Sequence, residues 1–172
     1  MIFQMVYCSV QSDQPNCNWL EITMLVSEIM TRSPRTVSPD TLLQEVASIM
    51  CLYRIPALPV VDADGMLVGN ISEMDLLHNL LPTMEAIMAG DAIQEIERMI
   101  PNYSALMKKP VSELMKKNPV SVTPDMHVLK ATAKMTSHRF RRIPVADADG
   151  KLVGVMSLGD VHKAIFHMYV SG

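Results

Sequence analysis

The sequence predicts an α+β protein made of two tandem β-α-β-β-α repeats, and three observations carry that reading. Residues 26–79 return as residues 111–164 at a constant offset of 85 with no gap, and 21 of the 54 aligned positions are identical. Hydrophobic residues make up 49% of the chain and charged residues 19%, which suits a compact protein rather than a disordered one. A unit of about 55 residues buries little surface alone, so the two repeats of this 172-residue chain are expected to share a core.

Each repeat opens alike, Val26-Ser27-Glu28 and Met30 returning as Val111-Ser112-Glu113 and Met115. A short extended segment follows, Arg35-Thr36-Val37 or Val120-Ser121-Val122. Ser38-Pro39-Asp40 and Thr123-Pro124-Asp125 then read as helix starts, because a hydroxyl can cap free backbone N–H groups while proline fits the first helical position. Leu43, Val46, Ala47 and Met50 recur at helical spacing behind the first, and Val128, Ala131 and Met135 behind the second. Cys51 falls within this helical pattern and reads as a small core residue.

The second half of each repeat reads as a hairpin. Leu58-Pro59-Val60-Val61 and Ile143-Pro144-Val145-Ala146 are β-rich runs, each ended by Asp-Ala-Asp-Gly, whose aspartates and glycine favour a tight turn. Leu67-Val68-Gly69 and Leu152-Val153-Gly154 resume as strands, and helices are expected from Ser72 and Ser157.

Outside the repeats, residues 1–24 are turn-rich at Ser12-Asp13-Gln14-Pro15-Asn16 and are expected to form an irregular arm docked through Trp19 and Leu20. Residues 82–110 carry an apolar stripe (Ala89, Ala92, Ile93, Ile96, Met99, Ile100), which predicts a helix over roughly residues 84–100 packed on its own domain. Domain boundaries follow as 1–24, 25–81, 82–110 and 111–172.

Several function classes recede on composition. Apolar runs stop short of membrane-spanning length, and the opening Met1-Ile2-Phe3 lacks the basic start of a secretory signal, so the expected setting is the cytoplasm without membrane contact. A net charge of −3 gives no reason to expect nucleic-acid binding. The three cysteines, Cys8, Cys17 and Cys51, form no paired motif and read as reduced thiols. No histidine lies at a metal-ligand spacing, and no phosphate loop or nucleophile elbow occurs, so no catalytic residue, metal or required cofactor is assigned.

The ordered set Val-Ser-Glu-(Ile/Leu)-Met, Val-(Ser/Thr)-Pro-Asp, Pro-Val, Asp-Ala-Asp-Gly and Gly-x-x-Ser-x-x-Asp, found twice over residues 26–79 and 111–164, resembles the cystathionine β-synthase (CBS) domain. The resemblance implies a CBS-domain pair with pseudo-twofold symmetry. It further implies a regulatory module that binds AMP, ADP, ATP or S-adenosylmethionine in clefts between the repeats, assembles as a homodimer and acts on an unidentified regulated protein.

The Ser-x-x-Asp motif admits two chemistries. Ser157 with Asp160, and Ser72 with Asp75, stand at a helix start, where backbone N–H groups suit a phosphate and a carboxylate suits a ribose diol. The same four-residue pattern is also close to a capping box that serves only the helix. Charge separates the copies. Repeat 1 has three basic against seven acidic residues, net −4, and repeat 2 has nine against five, net +4. Arg141 and Arg142 precede the second Pro-Val strand, where Pro56 and Ala57 stand in the first, and a planar guanidinium grips phosphate with two hydrogen bonds. The expected nucleotide site is therefore Asp160, Ser157, Arg142 and Arg141, with Val122, Thr123, Ile143, Pro144 and Val145 as the adenine slot that the resemblance implies. Asp75, Ser72, Val37 and Pro59 form a weaker second cleft. The alternatives are an S-adenosylmethionine sensor and a structural dimerisation module without ligand.

Overall fold

A computed structural model of the protein describes residues 24–78, 80, 81, 88 and 100–171. The expected arm over 1–24 and helix over 84–100 thus lie outside the described residues, apart from Met24, Met88 and Ile100. The first repeat runs α1 (Val26–Ile29), β1 (Thr31–Arg32), α2 (Leu43–Tyr53), β2 (Ala57–Val61), β3 (Leu67–Ser72) and α3 (Glu73–Leu77). The second runs through a 3-10 turn (Val111–Glu113), β4 (Lys116–Lys117), α4 (Val128–Ser137), β5 (Arg142–Ala146), β6 (Leu152–Ser157) and α5 (Leu158–Ser171).

The hairpins form where the sequence places them. β2 and β3 pair antiparallel, with Leu58 opposite Ile71 and Val60 opposite Gly69. At their turn Asp62 Oδ1 accepts from the N–H groups of Asp64 at 3.0 Å and Met66 at 2.9 Å, while Gly65 adopts φ +81°, a conformation that costs glycine nothing. The extended fronts dock as expected, Val37 bridging Val60 and Val122 bridging Val145, both parallel.

Pairing within each sheet exchanges material between the repeats. β1 pairs with β6, Thr31 opposite Val155 and Arg32 opposite Gly154. Its counterpart β4 pairs with β3, Lys116 opposite Asn70 and Lys117 opposite Gly69. The two sheets are therefore β1-β6-β5 and β2-β3-β4. The chain accordingly divides into two compact units. One comprises Met1–Ser33, Ser121–Ala148 and Val153–Gly172, and the other Pro34–Val120 with Asp149–Leu152. Each unit joins the opening of one repeat to the body of the other.

Both long helices start later than Ser-Pro-Asp suggests. Residues 39–40 and 124–125 form turns, with the Thr41 N–H donating to the Ser38 carbonyl at 3.2 Å and the Met126 N–H to that of Thr123 at 3.1 Å. Leu42 and His127 are then held extended by bridges to Pro110 and Leu25. The exchanged chain also meets the first helical donors: Leu43 N–H reaches the Lys109 carbonyl and Val128 N–H the Met24 carbonyl, each at 2.9 Å. His127 adds a side-chain cap, its Nδ1 accepting from Leu129 N–H at 3.2 Å. A crossing backbone thus supplies the acceptors that the hydroxyl was expected to supply.

The apolar stripes bury as their spacing predicts. Leu43, Val46 and Met50 enter the core of the second unit with Leu58, Val60 and Ile71, and Met107 and Val111 complete it from beyond the first repeat. In the first unit Val128, Ala131 and Met135 are buried with Ile143, Val145 and Met156. Cys51 is exposed, contrary to its reading as a core residue. It lies one residue past buried Met50, on the solvent side of α2 beside Leu52, which is 76% exposed. Among the described residues no helix is long and apolar enough to cross a membrane.

Candidate functional site

Ser157 closes β6 and Asp160 lies in the first turn of α5, so sheet and helix together fix their geometry. Asp160 Oδ2 accepts from the Ser157 N–H at 2.9 Å and the Ser157 hydroxyl at 2.6 Å, and the Ser157 Oγ accepts from Asp160 N–H at 3.2 Å. The capping box is therefore built, and it consumes one carboxylate oxygen. Oδ1 has no protein partner among the described residues. Asp160 thus caps its helix and still offers an acceptor.

The arginines are tied to the same corner. Leu158 N–H, at the start of α5, donates to the Arg141 carbonyl at 3.1 Å, which fixes the entry of β5 against the α5 N-terminus. Arg141 is exposed and Arg142 half-buried at the head of that strand. This corner therefore combines a free carboxylate oxygen, the backbone of Arg141 leading into Arg142 at the head of β5, and the positive end of a helix dipole. By sequence, the unit that holds it has seven basic against six acidic residues, whereas the other has eight against twelve. The charge difference seen between repeats keeps its sign after strand exchange and becomes smaller.

The apolar positions are deeper than a ligand-lining role suggests. Ile143 and Val145 are fully buried and Val122 is 1% exposed. Pro144 is buried as well, its carbonyl accepting from Val122 N–H at 3.1 Å. Their side chains pack the core. Thr123 is exposed, and its side chain hydrogen-bonds Asp125. That bond, followed by one from Asp125's own backbone, holds the Asp125 carboxyl below the usual aspartate range.

The counterpart corner in the other unit has the same box with a different outcome. Asp75 Oδ2 accepts from Ser72 N–H at 2.8 Å and from its hydroxyl at 2.5 Å, and Glu73 N–H donates to the Pro56 carbonyl at 3.0 Å. Here Oδ1 is taken by Lys116 Nζ at 3.1 Å. Val37 is 6% exposed and Pro59 is buried. Lys116 was missed in reading the sequence, since it belongs to the other repeat and nothing local ties it to Asp75. Among the described residues no group of three or more His, Cys, Asp or Glu is placed to hold a metal ion.

Comparison with known proteins gives this geometry a context. The model of the CBS domain family matches the chain twice, over residues 26–82 and 111–167. The CBS domain-containing protein CBSX1, chloroplastic, of Arabidopsis thaliana is 30% identical over 156 residues, covering 86% of this chain and 66% of CBSX1. The chain therefore spans just under two thirds of that relative's length. The crystal structure of CBSX2 in complex with AMP superposes with a TM-score of 0.66 at 29% identity, over 84% of this chain and 98% of that one. The CBS domain pair of protein MJ0100 in complex with 5′-methylthioadenosine and S-adenosyl-L-methionine superposes with a TM-score of 0.63 at 25% identity, over 85% and 98%.

Proposed function

The chain belongs to the CBS domain family, and on that premise we propose that it is a regulatory module that binds an adenine nucleotide at the Ser157–Asp160 corner. The observation that carries this reading is the free Oδ1 of Asp160 beside a strand that begins with Arg142. A ribose diol presents two O–H donors, and an ionised carboxylate oxygen accepts them at roughly twice the strength of a neutral acceptor. Arg141 and Arg142 then meet the phosphate, each with a fork that stays charged. AMP, ADP or ATP fits this set. Binding requires no further cofactor and makes no or breaks no covalent bond, and occupancy is passed to a regulated partner.

An S-adenosylmethionine reading draws support from the ligands of the MJ0100 pair. It fits this corner less well, because its sulfonium and ammonium outweigh its single carboxylate, and a net positive ligand is disfavoured beside two arginines where an anionic nucleotide is favoured. Calorimetric titration with AMP, ADP, ATP and S-adenosylmethionine decides between them. We expect the phosphate-bearing ligands to bind more tightly, and saturation at 100 times Kd to raise stability by about 2.7 kcal/mol. Tighter binding of S-adenosylmethionine would transfer the role to that ligand, and no binding of any of the four would leave a structural module.

The same reading includes a twofold homodimer. Ile165, Phe166, Tyr169 and Val170 are exposed by 47%, 55%, 77% and 61% along one stripe of α5, an apolar face large enough to favour self-association. Sedimentation at micromolar concentration tests this, and a monomer there would count against it.

A further inference from the structure

We propose that the residue at one strand position, Lys116 in one unit and Thr31 in the other, decides which Ser-x-x-Asp carboxylate is open to a ligand. The inference rests on the reading above, that such a carboxylate accepts a ribose diol. Positions 31 and 116 are equivalent by the repeat offset and by register, Thr31 lying opposite Val155 and Lys116 opposite Asn70. Both stand on two-residue strands that one repeat lends to the other. Each strand therefore carries a side chain past the capping box of the repeat it completes.

The two boxes are alike in Oδ2 and differ in Oδ1. In each, Oδ2 is engaged by the serine N–H and hydroxyl. Lys116 Nζ then reaches Asp75 Oδ1 at 3.1 Å, its side chain 66% exposed while that of Asp75 is 11% exposed. An ammonium is donor-only, as is a diol toward a carboxylate, so the two compete for the same oxygen. Threonine ends at its γ atoms and lacks the four-carbon reach of lysine. Asp160 accordingly has no ion-pair partner among the described residues. The lysine acts as a tethered competitor in one unit, and its absence leaves the other receptive. One ligand per chain follows.

The competing reading is that Lys116 attracts a phosphate and so serves a ligand. Adenosine separates the two, because it keeps the diol and lacks the phosphate. Intact wild type, Thr31→Lys, Thr31→Met and Lys116→Thr are titrated with adenosine by calorimetry, with thermal melts to establish folding. We expect one equivalent bound by wild type, affinity more than tenfold weaker in Thr31→Lys, the size of a lost hydrogen bond to a charged group and enough to take that corner out of the titrated range, and unchanged in Thr31→Met, which has similar length without charge. Lys116→Thr gains a second equivalent. The proposal is overturned by two equivalents in wild type, by equal or tighter binding to Thr31→Lys, by equal losses in Thr31→Lys and Thr31→Met, or by no gain in Lys116→Thr. No binding by wild type with one equivalent in Lys116→Thr would refute the Asp160 site and uphold the role of Lys116. No binding by any of the four proteins would refute both.

Discussion

Met30 lies on Gly154 so closely that a Cβ built on the glycine would stand 2.7 Å from the Met30 sulfur and 3.0 Å from the Thr31 carbonyl oxygen. Met115 covers Gly69 in the same way, with the Lys116 carbonyl oxygen farther off at 3.4 Å. These contacts seat the exchanged strands: a methionine just ahead of each strand packs where the partner strand has no side chain. A flexible thioether can move aside, whereas a backbone carbonyl held in a ladder cannot.

Gly154→Ala is therefore expected to destabilise by about 1–3 kcal/mol, the usual cost of overpacking, and Gly69→Ala by less. Chemical denaturation of the two variants measures the difference. Equal midpoints would mean that the methionine alone sets the cost and the carbonyl distance does not matter.

Strand exchange also makes each repeat incomplete alone. Residues 25–81 lack β4, and with it the Met107 and Val111 side chains that are 7% and 0% exposed in the core they would have to form. A fragment of that length has little burial to spare. It is expected to show no cooperative thermal transition by circular dichroism. A sharp two-state melt would show that the first repeat is sufficient and that the exchange is incidental.

How much of this was legible in the sequence can be read from particular elements. The hairpins and buried helix faces were, because Asp-Ala-Asp-Gly turns and the 43, 46, 50 spacing are local signals tied to chain geometry. The exchanged strands were not. Thr31-Arg32 and Lys116-Lys117 are exposed and two residues long, with no alternation to reveal a strand and nothing to say which repeat they join. The late helix starts share that cause, since the acceptors for Leu43 and Val128 come from the exchanged chain. At the candidate site the pairing of Ser157 with Asp160 as a helix cap was legible. The division between Oδ2 and Oδ1, which leaves a capping carboxylate with one open oxygen, needed coordinates.

Thr123 offers a test by pH. Its hydrogen bond lowers the Asp125 carboxyl in the folded protein, so the bond's stabilisation is present above the unfolded carboxyl's pKa and is lost as pH falls through the folded value. Thr123→Val should melt below wild type above about pH 4, with the gap closing on further acidification. A gap that stays constant down to strongly acid pH would show that packing, rather than the carboxylate, carries the effect.

Asp160→Asn distinguishes a carboxylate that only caps from one that also binds. The amide oxygen of asparagine can take over the Oδ2 bonds from Ser157, which measure 2.9 and 2.6 Å, so the box survives. The loss of charge near the helix N-terminus costs about 0.3–1 kcal/mol of stability, and the protein stays folded. The oxygen replaced by NH2 is the free Oδ1, where a donor now faces the ribose donors. Losing that charged acceptor should weaken AMP by about 1.5–3 kcal/mol, more than tenfold. Asp75→Asn should leave AMP affinity unchanged, because its Oδ1 already serves Lys116 at 3.1 Å. Calorimetry on both folded variants reads the outcome directly. Wild-type affinity in Asp160→Asn would reduce this residue to a helix cap, and equal losses at both aspartates would mean that both corners bind.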